Sequence, residues 1–256
     1  PPVVGRTVTA EVHAIPCMET RAQEMIAVIR HAEQFLPTFL GLEDLFELVP
    51  ERKGQQISVL ARVSGPAGSA GRIIQVGAFS SNRQLPFHHE LTHLVWPNSI
   101  HPPWFDEAIA THMAYHGRKD LGWQDKAQEY VEQLPRDLAK FEKKGPVDLA
   151  YYGRGDRRWK ACRVKCQWVL LQMEQKYGQD FLKSYVAALR EYMAGKTTRN
   201  KRMSVEAFVQ LCSEAAGEDL APWFETVGTT LDTNGASIGS LPKSQENGTN
   251  RRGLSA

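Results

Sequence analysis

The sequence has few cysteines, no long apolar run and no excess of either charge. Its four cysteines among 256 residues are too few for a disulfide-stapled scaffold, so an ordinary hydrophobic core must carry stability. No run approaches the roughly 18 apolar residues of a membrane span. With 31 Lys and Arg against 29 Asp and Glu, the net charge of +2 does not favour a polyanionic partner. We therefore expect neither a nucleic-acid partner nor a membrane span.

The cysteines also lack the spacing of a redox or zinc-binding pair. Cys162 and Cys166 are four residues apart in a predicted helix, which is not a CxxC pattern, so we interpret them as core or surface thiols. The sequence leaves open whether Cys17 and Cys212 form a bridge.

Strand patterns occur only in the front half of the chain, and helical patterns fill the back half. We predict strands at 6–15, 57–63 and 72–76 and a first helix at 18–35. Beyond residue 84 we predict helices at about 86–95, 104–116, 124–140, 158–177, 179–194, 204–215 and 219–227.

Local signals set several of the expected boundaries. Ser204 is a suitable N-cap, Gly178 and Gly217 lie where helices should end, and Pro135 is expected to break the 124–140 helix. The tail 232–256 has no aromatic residue and is rich in Gly, Ser, Asn and Thr, so we expect it to be disordered. The chain begins at Pro1 without a methionine, which suggests that an upstream segment has been removed.

The distribution of histidine is uneven. Six of the eight histidines fall in one short stretch: His88, His89, His93, His101, His112 and His116. Within it, His89-Glu90-Leu91-Thr92-His93 forms an HExxH motif between two prolines that suit the ends of a helix.

On a helix, the HExxH spacing places two ligands on one face. Residues i and i+4 are about 40° apart around the axis and about 6 Å apart along it, so His89 and His93 can bind one metal ion. Glu90 is then beside the metal without being a ligand. Because zinc lowers the pKa of a bound water to about 7, such a carboxylate can act as its base and later as an acid.

A third ligand is expected from the segment that follows. The stretch HPPWFDEAIATHMAY, residues 101–115, opens a second helix with a proline pair and carries acidic residues in its first turns. Glu107, Asp106 and His101 are the candidates, and Asp106 lies about 100° from Glu107 around the helix.

These motifs together resemble the gluzincin zinc metallopeptidases, in particular the peptidase MA-like domains related to the M1 aminopeptidase and thermolysin catalytic domains. The resemblance lies in HELTHL followed by PPWFDEAIATHMAY and extends more loosely over about residues 6–228. It implies that His89, His93 and Glu107 bind one zinc ion per chain and that Glu90 is the general base. It also makes Tyr152, in the segment YYGRG, the candidate for the oxyanion-stabilising residue.

The match to the family pattern is incomplete. Ala108 replaces the glycine that usually follows the third ligand, and Thr111 stands where the thermolysin-like branch has an acid that supports a histidine ligand. A convincing GxMEN motif, the exopeptidase anchor of the M1 enzymes, is missing, so aminopeptidase activity is not supported.

The resemblance further implies an α+β zincin (thermolysin-like) catalytic fold, with an N-terminal mixed β-sheet and helix lobe, a C-terminal helical lobe and the active-site cleft between them. We expect one catalytic domain over 1–231, with lobes of about 1–117 and 118–231. The expected function is hydrolysis of peptide bonds in a peptide or protein substrate. The alternatives are an inactive zinc-containing peptide-binding module and a zinc hydrolase of a non-peptide amide. Families of this kind are often exported, so a secreted or periplasmic location is compatible with the sequence.

Overall fold

Helices make up most of the chain that the structure describes. The structure, a computed structural model, describes residues 10–13, 19–53, 57–62, 68–70, 73–77, 87–97, 100–101, 103–149, 157–194, 203–229 and 231. The helices in these ranges are α1 (Glu19–Leu40), α2 (Phe87–Val95), α3 (Pro103–Asp120), α4 (Gln124–Glu142), α5 (Arg157–Tyr177), α6 (Phe181–Ala194), α7 (Val205–Ala216) and α8 (Ala221–Thr226).

The strands form one small sheet. They are β1 (Ala10–His13), β2 (Ile57–Arg62), β3 (Gly68–Ala70) and β4 (Ile73–Gly77), in the order β1-β2-β4-β3. β1, β2 and β4 are parallel, with Val12 opposite Val59 and Val59 opposite Ile74, whereas β3 pairs with β4 in the antiparallel direction. The sheet packs against α1 and α2.

The predicted α+β class with a mixed β-sheet lobe is wrong, because the described part of the chain is predominantly helical. The strands have between three and six residues, whereas α1, α3, α4 and α5 have between 18 and 22. In the front half, the longest element is α1, and its stripe of Met25, Ile29 and Leu36 is buried in the main core. A long amphipathic helix is therefore the main described element of the front half, beside a sheet of short strands.

Most predicted helix boundaries agree with the structure to within a few residues, with two corrections. The first helix continues past residue 35 to Leu40 and contains Pro37. α4 runs without interruption through Pro135, so the predicted break is wrong. Leu134 and Leu138 on α4 are buried while Pro135 is exposed, and burial of this apolar face offsets the backbone hydrogen bond that proline cannot make.

The predicted caps of the later helices are confirmed. The Ser204 side chain accepts a hydrogen bond from the backbone N–H of Ala207 at 3.2 Å at the start of α7. Gly217 follows α7 with a φ of 71°, a left-handed conformation that glycine adopts at little cost. Gly178, directly after α5, has a φ of 84°.

An aromatic cluster fills the core beside α3. Trp104 and Phe105, at the start of α3, pack against Phe208 of α7 with ring centroids 5.6 and 4.9 Å away. Tyr185 of α6 and the ring of His101 complete this cluster. The Trp104 side chain is fully buried in this cluster.

Several predictions concern residues outside those described. The tail 232–256, Tyr152 and Cys17 all belong to this group, while Cys162, Cys166 and Cys212 are buried free thiols. The division into lobes at about residue 117 stays a prediction. Within the described ranges, none of the helices is both long and apolar enough to cross a bilayer.

Gly117, which has no side chain, allows α3 to approach α2 closely. A Cβ atom added at Gly117 of α3 would lie 2.2 Å from Cδ2 of the His88 ring on α2. That ring is held in place, because its Nε2 lies 2.8 Å from Nδ1 of His31 and Phe35 packs against it. The ring therefore has little room to move away from an added methyl group.

We expect Gly117→Ala to destabilise the protein by about 1–3 kcal/mol, the usual cost of overpacking. Helix propensity alone predicts the opposite sign, a gain of about 1 kcal/mol for Ala over Gly. The measurement is the free energy of unfolding in urea. The control is the same substitution in a His88→Ala background, where the obstructing ring is gone and the cost should shrink. An increase in stability on Gly117→Ala would show that the helices are not in close contact here.

Burial makes His101 a source of acid sensitivity. Its side chain is fully buried, and burial lowers its pKa to about 3 from the ordinary value of 6.5. Between pH 6.5 and pH 3 the unfolded chain thus binds a proton that the folded chain does not, so stability falls as the pH falls through this window.

We expect His101→Gln, which keeps a polar group beside the Tyr185 hydroxyl, to reduce this pH dependence by about 1 kcal/mol per pH unit. The measurement compares urea unfolding of both proteins at pH 7, 6 and 5 in the presence of a chelator. Parallel pH profiles would mean that His101 does not contribute.

Candidate metal centre

Helices α2 and α3 bring together three side chains suited to a metal ion. His89 and His93 lie one turn apart on α2, and their Nε2 atoms are 3.1 Å from each other. Glu107 reaches them from the first turns of α3, with one carboxylate oxygen 3.7 Å from Nε2 of His89 and the other 3.6 Å from Nε2 of His93. All three side chains are partly exposed, so solvent can reach the cluster.

The spacing of these atoms fits a zinc ion. Zinc is bound by imidazole nitrogen and carboxylate oxygen at about 2.0–2.2 Å, which in a tetrahedral site places ligand atoms about 3.3 Å from one another. The observed distances of 3.1, 3.6 and 3.7 Å lie around that value. Two histidines and one glutamate, with an open side, are a donor set typical of catalytic zinc.

Thr111 orients one of the imidazoles. Its hydroxyl donates a hydrogen bond to the carbonyl oxygen of Glu107 at 2.8 Å, and its oxygen lies 3.4 Å from Nδ1 of His89. Because that hydroxyl proton is already used, the oxygen is free to accept from Nδ1. This arrangement favours the tautomer in which the His89 proton is on Nδ1 and the lone pair of Nε2 faces the cluster.

Arg52 provides hydrogen-bond donors for backbone carbonyls at the C-terminal end of α2, the helix that contains the HExxH motif. Its guanidinium donates to the backbone carbonyl oxygens of His93 and Leu94, at 3.2 and 2.6 Å. These belong to the last carbonyls of α2, which have no partner within the helix, and a cation there also complements the helix dipole. Arg52 therefore stabilises the turn that carries His93.

The surroundings of the cluster favour neutral imidazoles, the form that binds metal. Burial lowers the pKa of His89 to about 3, and nearby His93 and Arg163 act in the same direction. Burial also lowers the pKa of His93, although the Glu107 carboxylate opposes this shift. Both rings are thus unprotonated at neutral pH.

Of the three candidates for a third ligand, the structure places Glu107 in the cluster. His101 is instead buried against Tyr185, with its Nε2 3.0 Å from the Tyr185 hydroxyl. Asp106 is also buried, and among the described residues it is not part of the group formed by His89, His93 and Glu107. Glu90, the residue after His89, is largely buried, with 6% of its surface exposed.

Two features of the structure were not anticipated from the sequence. Arg163 of α5 places a guanidinium nitrogen 3.5 Å from the Glu107 carboxylate. A second group of potential ligands, His112, His116 and Glu174, lies between α3 and α5. The i, i+4 spacing of His112 and His116 is visible in the sequence, but two histidines at this spacing do not by themselves indicate a third ligand. Nothing local linked them to Glu174, which is 58 residues from His116.

Comparisons with known proteins find a likeness in structure but none in sequence. No model of a protein family matches the chain, and no curated protein matches it. Among solved structures, the chain is similar to a variant of an M1 zinc metallopeptidase from Deinococcus radiodurans bound to a Tyr-Ser-Ala substrate. The identity is 15% and the TM-score 0.49, over 88% of this chain and 48% of that one. The chain thus spans about half the length of this neighbour.

We expect Thr111→Val to weaken zinc binding by about tenfold, within the 10–100-fold range typical of residues that orient metal ligands. Valine keeps the shape but removes the oxygen beside Nδ1 of His89. The measurement is competition for zinc with a chromophoric chelator. Thr38→Val is a matched control, because Thr38 donates to the carbonyl of Gln34 in the same way on an exposed face of α1. Equal zinc affinities for both variants would contradict an orienting role.

Proposed function

We propose that the protein is a zinc-dependent metallopeptidase of the gluzincin type, acting on a peptide or protein substrate. The observation that carries the proposal is the convergence of His89, His93 and Glu107 from two helices at distances that suit one zinc ion. Bound there, zinc would supply a Lewis acid that polarises a carbonyl group and makes water a nucleophile near neutral pH.

The protein's own residues would divide the remaining tasks. His89, His93 and Glu107 hold the ion, and Thr111 fixes the orientation of the His89 ring. Glu90 accepts the proton of the attacking water and then delivers it to the leaving amine, which avoids the release of a strongly basic anion. Its place directly after His89 on α2 supports this role.

A group that stabilises the developing negative charge of the substrate carbonyl is also required. Tyr152 remains our proposal for this task, on the resemblance of its segment alone. Arg163 contributes a fixed positive charge next to the Glu107 carboxylate and so partly offsets its negative charge.

We expect Glu90→Gln to retain as much zinc as the wild type while peptide hydrolysis falls by about 10²–10⁴-fold, the usual contribution of a general base. Glutamine keeps the size of the side chain but cannot accept the proton. The measurements are zinc content by elemental analysis and cleavage of a mixed peptide library with and without a chelator. Glu132→Gln, on the exposed face of α4, serves as the matched control and should behave as wild type.

The same measurements separate the proposal from its rivals. Chelator-sensitive cleavage that survives in Glu90→Gln would contradict the assigned base. Zinc in the wild type without cleavage of any peptide would favour a peptide-binding module or a hydrolase of another amide. If His93→Ala binds as much zinc as the wild type, the proposed metal site is contradicted.

A further inference from the structure

A second His-His-Glu cluster lies between α3 and α5, apart from the one assigned above. His112 and His116 are one turn apart on α3, and their Nε2 atoms are 3.2 Å from each other. One oxygen of Glu174, on α5, lies 2.9 Å from Nε2 of His112 and 2.7 Å from Nε2 of His116. The cluster repeats the ligand types and the helical spacing of the first one.

A metal-free hydrogen-bond network explains this arrangement poorly. Glu174 has two carboxylate oxygens, yet both imidazoles converge on the same one. If both rings donate to this oxygen, their Nε2–H groups point into the same space between the rings. The two nitrogens are only 3.2 Å apart, so the partial positive charges of the two N–H hydrogens repel each other. A cation in that gap removes the conflict, because both lone pairs and the carboxylate then face a positive charge.

The surroundings of His116 suit metal binding, which requires a neutral imidazole. Burial lowers the pKa of His116, which favours the neutral ring.

The cluster is also well shielded. His112 and His116 are almost fully buried, and the rings of Phe39 and Tyr115 lie 4.5 and 4.6 Å from the His116 ring. An apolar shell of this kind limits solvent access to a site. The Glu174 side chain keeps 16% of its surface exposed, which leaves a path for an ion from solvent.

We propose that His112, His116 and Glu174 bind a second divalent transition-metal ion, of the zinc class, that fastens α3 to α5. Imidazole and carboxylate are ligands that zinc accepts, and three protein ligands leave one position for water. The burial of this cluster distinguishes it from the partly exposed first cluster.

The test counts metal ions per chain. In the full-length protein dialysed against zinc and then against metal-free buffer, elemental analysis should give two zinc equivalents for the wild type and one for Glu174→Gln. Glu225→Gln, an exposed glutamate of α8, is the matched control and should keep two. In addition, Co²⁺ titration of metal-free His93→Ala, which lacks the first site, should saturate at one equivalent with the absorption of tetrahedral cobalt.

Each outcome separates this proposal from the proposed function. One zinc in the wild type that is lost in His93→Ala but kept in Glu174→Gln would overturn the second site and leave the peptidase site intact. One zinc that is kept in His93→Ala and lost in Glu174→Gln would support the second site and contradict the first. If Glu174→Gln does not fold, the cobalt titration decides, and no cobalt binding to His93→Ala would overturn the proposal.

Discussion

The packing of α3 against its neighbours is the constraint on which both candidate metal clusters depend. Glu107 and Thr111 lie one turn apart on α3 and face the histidines of α2, while His112 and His116 face α5. Gly117 lets α3 approach α2 at the His88 ring. A shift of α3 along its axis would therefore disturb the ligand sets on both sides at once, which makes the register of this helix a condition for any metal chemistry.

Burial of uncharged imidazoles is the second common element. His89, His93 and His116 are all shifted by burial toward the neutral form, and each lies within reach of a carboxylate. A neutral ring in an apolar setting costs less than a charged one, and it presents a lone pair to a metal ion. Burial thus keeps these imidazoles neutral at neutral pH, the form that can bind a metal ion. The same burial lowers the stability of the fold in acid, where the unfolded chain binds protons that the folded chain does not.

What the sequence could reveal follows from how local each feature is. His89 and His93 lie on the same face of α2 because they are four residues apart in a helix, so their proximity was predictable from the sequence. Arg163 and Glu174 come from α5, far along the chain, and no local pattern connects them to the residues they approach. The strand patterns located β2 and β4 well, but the class prediction failed because helices dominate the described residues and the strands are short. Pro135 shows the same limit, since tertiary burial of α4 outweighs a local helix breaker.

Because of Arg52, the HExxH helix cannot be transferred to another protein as a self-contained segment. Arg52 binds the carbonyl end of α2 from 41 positions upstream of His93, so the helix that carries HExxH is completed by a residue that no motif definition includes. A designer who grafted residues 87–95 onto another scaffold would transfer both histidines and lose the group that holds their last turn. The structural unit is therefore larger than the motif, because it includes a residue 41 positions away in the sequence.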